Sequence, residues 1–162
     1  MNREIARRLD LSDDQTFKLG DTIDVKNSIA LVAITFLAGQ SASLTALSLQ
    51  AIETGIQFVS VGALVAAALS AFVALWPREY ATDSTDSLVG WVGELRSHYA
   101  AAPDVDAKVA EDMATWHIRR TKERIIANTA INQIKSRWMN RVFIFTGVAL
   151  ACNLATITLR NF

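Results

Sequence analysis

The chain has 162 residues, and its 16 basic and 16 acidic residues balance to a net charge of zero. A general nucleic-acid-binding protein carries a basic excess, so this balance argues against that class. Hydrophobic residues make up 51% of the chain and its mean hydropathy is +0.24, which is high for a soluble domain. The single cysteine, Cys152, can form neither an internal disulfide nor a cysteine metal cluster.

Residues 1–27 form a charged segment that precedes the first apolar block. Ile5, Leu9 and Leu11 give it an apolar component, and we predict a cytoplasmic amphipathic segment. A secretory signal peptide would place its apolar core near the N-terminus and follow it with small residues at a cleavage site. The first apolar block is therefore expected to remain as a membrane anchor.

Three uncharged blocks predict three transmembrane helices, at residues 28–50, 55–77 and 142–159. A helix needs about 20 mainly apolar residues to cross the hydrocarbon core, and roughly 17 is the lower limit. The first two spans form a transmembrane hairpin, residues 28–77, with a tight turn expected near Glu53–Gly55. Three such blocks exceed what so short a chain can bury within protein, so the sequence predicts a membrane protein.

The three blocks carry no Asp, Glu, Lys, Arg or His at mid-membrane depth. Pumps and proton-coupled transporters place ionisable groups there, so the pattern argues against active transport. The polar residues from Gln40 to Ser48 leave two interpretations open. They could form a water-lined pore in an oligomer, or hydrogen bonds between helices.

Small residues recur at every fourth position in the spans, which lets helix backbones approach closely. Packing of the three helices within one protomer explains the pattern more simply than an oligomer interface, which stays the alternative. The rows are Gly62, Ala66, Ser70 and Ala74; Ala63, Ala67 and Ala71; Thr35, Gly39 and Ser43; and Gly147, Ala151 and Ala155.

Lysine and arginine in the flanking segments predict the orientation, because these residues accumulate on the cytoplasmic side. Five precede the first span and none lies in the connection between the first two spans. Ten lie within residues 78–141, and only Arg160 follows the third span. The N-terminus and residues 78–141 are therefore predicted to be cytoplasmic, and the C-terminus periplasmic.

Residues 78–141 are predicted to form a cytoplasmic helical hairpin. Pro103 separates two helices, and Asp104 is placed to cap the second. No proline follows Pro103 and no glycine follows until Gly147, so one helix is predicted from Asp104 to about Leu159. The predicted fold is an all-α membrane protein with three transmembrane helices and a cytoplasmic hairpin between the second and third. The last helix is long and continuous with its span.

The stretch HIRRTKERIIANTAINQIKSRWMNRV, residues 117–142, carries seven basic residues and one acid. Topology, lipid headgroups and pairing with acids of the hairpin explain part of this charge, above all for Lys135, Arg137 and Arg141. Arg120 lies roughly 30 Å from Val142 along a helix, beyond the headgroups, and acidic residues nearby disfavour nucleic acid. A small phosphate ligand is therefore a further interpretation, with an aromatic ring or amides contacting its base. The candidate ligand-binding residues are Trp116, Arg119, Arg120, Arg124, Asn128 and Asn132.

The order of segments and two short polar motifs resemble a known family. A charged helix runs into DVKNSIALVAITFLAG, two spans and a helical insert follow, and INQIKSRWMNRVFIFTGVAL leads into the last span. The motifs are Asp24 with Lys26 before the first span and the stretch Asn128–Lys135 before the third. On these features the chain resembles the Pycsar transmembrane effectors of bacterial antiphage systems and, more loosely, SLATT-type effectors.

The resemblance implies a latent effector of the bacterial inner membrane. A partner cyclase would make a cyclic pyrimidine nucleotide, cyclic CMP or cyclic UMP, during infection. The effector would bind it, assemble into a homo-oligomer and breach the membrane, so that growth stops before phage is released.

The residues themselves offer no catalytic grouping, since His98 and His117 are isolated, and we expect neither an enzyme nor a bound metal or cofactor. Two other functions stay open at this point. One is a non-enzymatic accessory membrane subunit that docks a soluble partner, and the other is a constitutive channel or holin-like pore.

Overall fold

The computed structural model describes residues 2–46 and 50–161. Its four helices are α1 (Asn2–Thr45), α2 (Ala51–Leu75), α3 (Thr85–His98) and α4 (Val105–Asn161). Within these ranges the chain has no β-strand, so the predicted all-α class is confirmed. Helices α1, α2 and α4 are long and apolar enough to cross a membrane.

The longest helix, α4, has 57 residues and begins directly after Asp104. The backbone carbonyl of Asp104 accepts hydrogen bonds from the amides of Ala107 and Lys108 at 3.1 and 3.2 Å. Pro103 lies in the turn before the helix, and no later proline removes a backbone donor from it. The prediction of one continuous helix that includes the third span is confirmed.

The start of α2 differs from the sequence prediction. The tight turn expected near Glu53–Gly55 is wrong, because these residues lie in the first turns of a helix that begins at Ala51. The Glu53 carboxylate accepts a hydrogen bond from the backbone amide of Gln50 at 2.9 Å, and the helix dipole favours an acid in the first turn. The connection comes earlier in the chain, where residues 47–49 of the predicted first span lie outside the described residues.

Two compact units divide the chain. Unit 1 comprises Met1–Leu19 and Arg78–Ile131, and unit 2 comprises Gly20–Pro77 and Asn132–Phe162. Helices α1 and α4 each contribute one part to each unit. Unit 2 therefore contains the three apolar blocks, and unit 1 contains most of the residues predicted to be cytoplasmic.

Hydrogen bonds between side chains fix the register of the three apolar helices in unit 2. The hydroxyl oxygens of Ser41 in α1 and Ser60 in α2 each lie 2.9 Å from Oδ1 of Asn153 in α4, so these residues share one level. On α1, α2 and α4 alike, one residue four positions from this level and one residue eleven positions from it belong to the same buried apolar core. They are Leu37, Leu64 and Ala149 at four positions, and Ala30, Ala71 and Val142 at eleven.

The rows of small residues differ in burial. In the row from Gly62 to Ala74, Gly62 is exposed whereas Ser70 and Ala74 are buried. Ala63, Ala67 and Ala71 are buried between the helices of unit 2, so this row packs within the protomer. On α1 and α4, by contrast, Gly39, Ser43 and Gly147 are exposed on the outside of the unit. Those rows leave surface for lipid or for another protein, and the homo-oligomer stays a prediction.

Unit 1 combines aromatic contacts with ion pairs. The ring of Phe17 in α1 lies 5.6 Å from that of Tyr80, which follows α2. Trp91 of α3 stacks on Trp116 of α4, with ring centroids 5.4 Å apart and an interplanar angle of 29°. The first contact connects the two chain segments of the unit, and the second connects its helices α3 and α4.

Candidate functional site

The six predicted ligand-binding residues fall into three places. Three border a cavity in unit 1, two bond to other segments of unit 1, and one is buried within unit 2. In that order they are Trp116, Arg119 and Arg120; Arg124 and Asn128; and Asn132.

The cavity has a volume of about 230 Å³ and is bordered by Trp116, Arg119, Arg120 and Glu123 of α4. The guanidinium group of Arg120 lies 5.9 Å from the centroid of the Trp116 ring, within the range of a cation–π interaction. Trp91 supports the same indole from α3. We name this place the Trp116 cavity; it presents an aromatic surface and two guanidinium groups to solvent.

Glu123 is the acid that balances the two arginines of the Trp116 cavity. Its carboxylate lies 3.1 Å from Nε of Arg119 and 3.2 Å from Nη1 of Arg120. The hydrogen bond from Arg119 lowers the pKa of Glu123, and the positive charges of both arginines lower it further. One carboxylate therefore faces two cations, and the cavity keeps an excess of one positive charge for an anion.

Arg124 is held by two carboxylates from distant parts of unit 1. Its Nη2 lies 3.0 Å from Oδ2 of Asp13 in α1, and its Nη1 pairs with Asp83 in the segment between α2 and α3. A further hydrogen bond runs from Nη2 to the Thr121 hydroxyl at 3.3 Å. The Arg124 side chain is only 18% exposed, so a phosphate would have to displace an acid to reach it.

Asn128 is fully buried and holds the backbone of the segment that follows α2. Its side-chain oxygen accepts a hydrogen bond from the Ala81 amide at 2.8 Å, and its nitrogen donates to the Ala81 carbonyl at 3.3 Å. An amide side chain that pairs with both backbone groups of one residue fixes an extended segment much as a neighbouring strand does. Asn128 therefore has a structural role that the sequence did not predict, and Arg124 has one beyond the expected pairing with acids of the hairpin.

Asn132 and Lys135 lie in the part of α4 that belongs to unit 2, and both are buried. Lys135 Nζ lies 2.7 and 2.9 Å from the two carboxylate oxygens of Asp24 in α1. The Lys135 side chain is 5% exposed and that of Asp24 is 39% exposed. Asp24 and Lys135 belong to the two motifs on which the family resemblance was based, and the structure joins them in one ion pair.

A family model described as the Pycsar effector protein domain matches residues 14–160, which is nearly the whole chain. The chain belongs to the Pycsar effector family. This confirms the resemblance seen in the sequence and points to an antiphage membrane effector. Three helices able to cross a membrane agree with that assignment. No curated protein and no solved structure matches the chain.

Sequence reasoning missed several partners in this Pycsar effector. It did not find that Arg124 pairs with Asp13, that Lys135 pairs with Asp24, or that Trp116 stacks on Trp91. The two residues of each contact are roughly 25 to 111 positions apart in the chain. The expected pairing of basic residues with acids of the hairpin is confirmed for Asp83 and Arg124. A charge count along the chain could have indicated that pairing but not its geometry.

A second polar group in this Pycsar effector is buried between the apolar helices of unit 2. Gln57 donates to the Thr156 hydroxyl at 2.8 Å, next to the bonds that join Ser41 and Ser60 to Asn153. We name this group the polar cluster: Ser41, Gln57, Ser60, Asn153 and Thr156.

The stripe predicted from Gln40 to Ser48 does not act as one surface. Ser41 points into unit 2, whereas Gln40 and Ser43 are exposed on its outside. Ser48 lies outside the described residues. The interpretation as hydrogen bonds between helices is confirmed for Ser41, and the water-lined pore in an oligomer stays a prediction.

Proposed function

We propose that this Pycsar effector binds a cyclic pyrimidine nucleotide at the Trp116 cavity and then impairs the integrity of the bacterial inner membrane. The observation that supports the site is the meeting of two guanidinium groups with a stacked pair of indole rings. Cyclic CMP and cyclic UMP offer the complementary groups, a negative phosphodiester and a flat base. Base stacking on an aromatic side chain contributes about 1–3 kcal/mol per base.

The proposed exchange at the cavity starts from Glu123. In the resting protein its carboxylate bonds to Arg119 and Arg120. A phosphodiester that binds the arginines forms charged hydrogen bonds of the same kind as those that the Glu123 carboxylate loses. The number of hydrogen bonds made by the arginines therefore changes little on binding. Because the cavity is open to solvent, the displaced Glu123 carboxylate stays hydrated.

The proposed orientation has the N-terminus and residues 78–141 in the cytoplasm and the C-terminus in the periplasm. Its support is the distribution of lysine and arginine, ten of which lie within residues 78–141. In this orientation the Trp116 cavity meets a nucleotide made in the cytosol. Membrane failure then stops growth of the infected cell before phage is released.

Assembly into a homo-oligomer is part of the proposal. Its support is the exposed position of Gly39, Ser43 and Gly147 on the outside of unit 2. Small residues on a lipid-facing helix allow the close backbone approach by which membrane helices associate. A second copy of the chain is the partner that this surface would bind.

Thermal unfolding of the purified protein in detergent tests the nucleotide site. Cyclic CMP or cyclic UMP should raise the midpoint, since a ligand at 100 times its Kd stabilises by about 2.7 kcal/mol. The double variant Arg119→Gln/Arg120→Gln should lose this shift. Lys122→Gln is the matched control, because Lys122 is an exposed base of the same helix that does not border the cavity.

Three outcomes would contradict the proposal. The first is that neither nucleotide shifts the midpoint of the wild-type protein. The second is an equal shift in wild type and in the double arginine variant, which would reject the site but keep the ligand. The third is nucleotide binding without any release of dye from vesicles that contain the protein, which would reject the membrane function.

A further inference from the structure

The buried side chains of unit 2 change from polar to apolar and back to polar along the helices. Asp24 lies 17 positions before Ser41, and Lys135 lies 18 positions before Asn153, which is about 26 Å along either helix. Polar residues therefore occupy both ends of the interior: the polar cluster at one end and the Asp24–Lys135 pair, with Asn27, at the other. We name the buried apolar residues between these ends the apolar layer: Ile34, Leu37, Leu64, Ala67, Val142 and Ala149.

Several polar atoms in this interior have no hydrogen-bond partner within the described protein. Asn27 Oδ1 is buried at the end near Asp24, and Gln57 Oε1 and Asn153 Nδ2 are buried in the polar cluster. Thr146 Oγ1, seven positions before Asn153 on the same helix, is buried between the two ends. The hydrogen bonds between the helices do not account for these atoms, and a buried polar atom is unfavourable unless water or another group bonds to it.

On α1 and on α4, the residues with unpartnered atoms are spaced by close to whole numbers of helical turns from residues of the polar cluster. Seven residues turn a helix by nearly two full turns, so Thr146 and Asn153 point in almost the same direction on α4. Asn27 lies fourteen positions before Ser41 on α1, again close to a whole number of turns. On each of these two helices the unpartnered atoms therefore lie on nearly the same side as the polar cluster, and the side chains of the apolar layer are buried in the same interior.

We infer that this interior is the closed form of a path for water and small ions, with the apolar layer as its barrier. The inference rests on the proposed membrane function and names the route by which the membrane is breached. Apolar constrictions close pores by excluding water, and they open when they widen or become polar. Because the polar cluster carries no charge and the Asp24–Lys135 pair at the other end has no net charge, the open path passes small cations and anions alike.

Polar substitution of the apolar layer tests this route without any nucleotide. The protein is reconstituted into vesicles of phosphatidylethanolamine and phosphatidylglycerol, and the release of a small dye and of a large dextran is recorded. Leu64→Asn and Val142→Asn should release the small dye several-fold faster than wild type and retain the dextran. The matched controls are Val65→Asn and Phe143→Asn, the next residues on the same helices, which face outward.

Equal release from interior and outward-facing variants would overturn the inference, as would release of the dextran together with the dye. Where helix content or elution shows that Leu64→Asn is misfolded, Ala67→Ser replaces it, since it adds a single hydroxyl to the same layer. Absence of a leak in a folded interior variant also overturns the route.

A second measurement distinguishes a path for water and ions from hydrogen bonds that only hold the helices together. In the leaking background, Gln57→Leu with Asn153→Leu removes both amides of the polar cluster. A polar path predicts slower dye release from the folded variant, whereas hydrogen bonds that only join the helices predict undiminished release.

Failure of the route and failure of the proposed function give different results. If cyclic CMP and cyclic UMP leave wild-type vesicles intact while Leu64→Asn leaks, the route stands and the nucleotide proposal fails. If a nucleotide releases dye from wild type while interior and outward-facing variants behave alike, the nucleotide proposal stands and the route fails.

Discussion

The two units of this Pycsar effector use polar side chains in opposite ways. In unit 1 most ion pairs lie at the surface, and Arg119 keeps 80% of its side chain exposed while it pairs with Glu123. In unit 2 uncharged hydroxyl and amide groups bond to one another with no exposure to solvent, as Ser60 and Asn153 do. Water competes for the first kind of bond and is excluded from the second.

This difference separates exchangeable bonds from bonds that fix geometry. An exposed ion pair contributes about 0–1 kcal/mol, so an incoming anion can take over one partner at little cost. A polar group buried among apolar helices has no such alternative, and its bonds determine which residues of neighbouring helices share a level. The arrangement is compatible with the ligand binding proposed for unit 1, and in unit 2 it determines which residues of α1, α2 and α4 share a level.

The largest effect on stability is expected from the ion pair of unit 2 between Asp24 and the buried Lys135. Asp24→Ala should lower the free energy of unfolding by about 3–5 kcal/mol, because it leaves the charge of Lys135 without its carboxylate. Lys135→Ala should cost less, since the half-exposed Asp24 can be hydrated. Thermal unfolding in detergent measures both effects.

Exchange of the two charges provides the control. Asp24→Lys combined with Lys135→Asp should recover most of the lost stability, and Asp21→Ala, at an exposed acid three residues earlier, should change little. If Asp24→Ala behaves like Asp21→Ala, the ion pair does not stabilise unit 2.

A smaller loss of stability is expected from substitution of two arginines of α4 that lie five residues apart, and the loss should differ between them. Arg124→Ala removes charged hydrogen bonds to Asp13 and Asp83 and should cost about 1.5–3 kcal/mol. Arg119→Ala breaks an exposed pair and should cost less than about 1 kcal/mol. The free energy of unfolding of both variants is compared with that of wild type.

Arg124→Lys sharpens this test. Lysine keeps the charge but cannot hold two carboxylates with the fixed geometry of a guanidinium group, so an intermediate loss is expected. Equal losses for Arg119→Ala and Arg124→Ala would show that burial does not distinguish the two arginines.

The smallest effect concerns pH and Glu123. The pKa of Glu123 is lowered from its ordinary value of 4.5, chiefly by the hydrogen bond from Arg119. Its contribution to stability is therefore present above the ordinary pKa and is lost as the pH falls through the lowered pKa. The midpoint difference between wild type and Glu123→Gln should be constant near neutral pH and shrink toward zero in acid. A difference that persists at pH values below the lowered pKa would contradict this account.

Much of the fold follows from patterns that the sequence displays directly. Uncharged blocks long enough to cross a bilayer predict the three apolar helices, and the absence of proline after Pro103 predicts a continuous α4. The turn predicted near Glu53 is wrong, because a charged residue between two apolar blocks does not have to interrupt a helix. In the structure the same acid bonds to the backbone amide of Gln50 and so starts the helix.

The candidate site was harder to predict, for a geometric reason. Residues spaced by four advance about 40° around a helix at every step, since each residue turns it by about 100°. Over three steps from Arg120 to Asn132 the direction changes by about 120°, so the predicted stripe meets different neighbours. Arg120 borders the cavity, Arg124 meets Asp13, and Asn132 is buried in unit 2. The partner of Lys135 is 111 residues away, and no local pattern contains that information.

The shared level of Ser41, Ser60 and Asn153 has a consequence for how such chains can diverge. A single-residue insertion between Asp24 and Ser41 would rotate the part of α1 before the insertion by about 100° relative to the part after it. The Asp24–Lys135 ion pair and the hydrogen bond from Ser41 to Asn153 could then not form together. Exchange of one apolar side chain for another along the same interval leaves both in place. Descendants of this gene are thus free to vary in composition across the spans while the intervals between the polar positions stay constant in length.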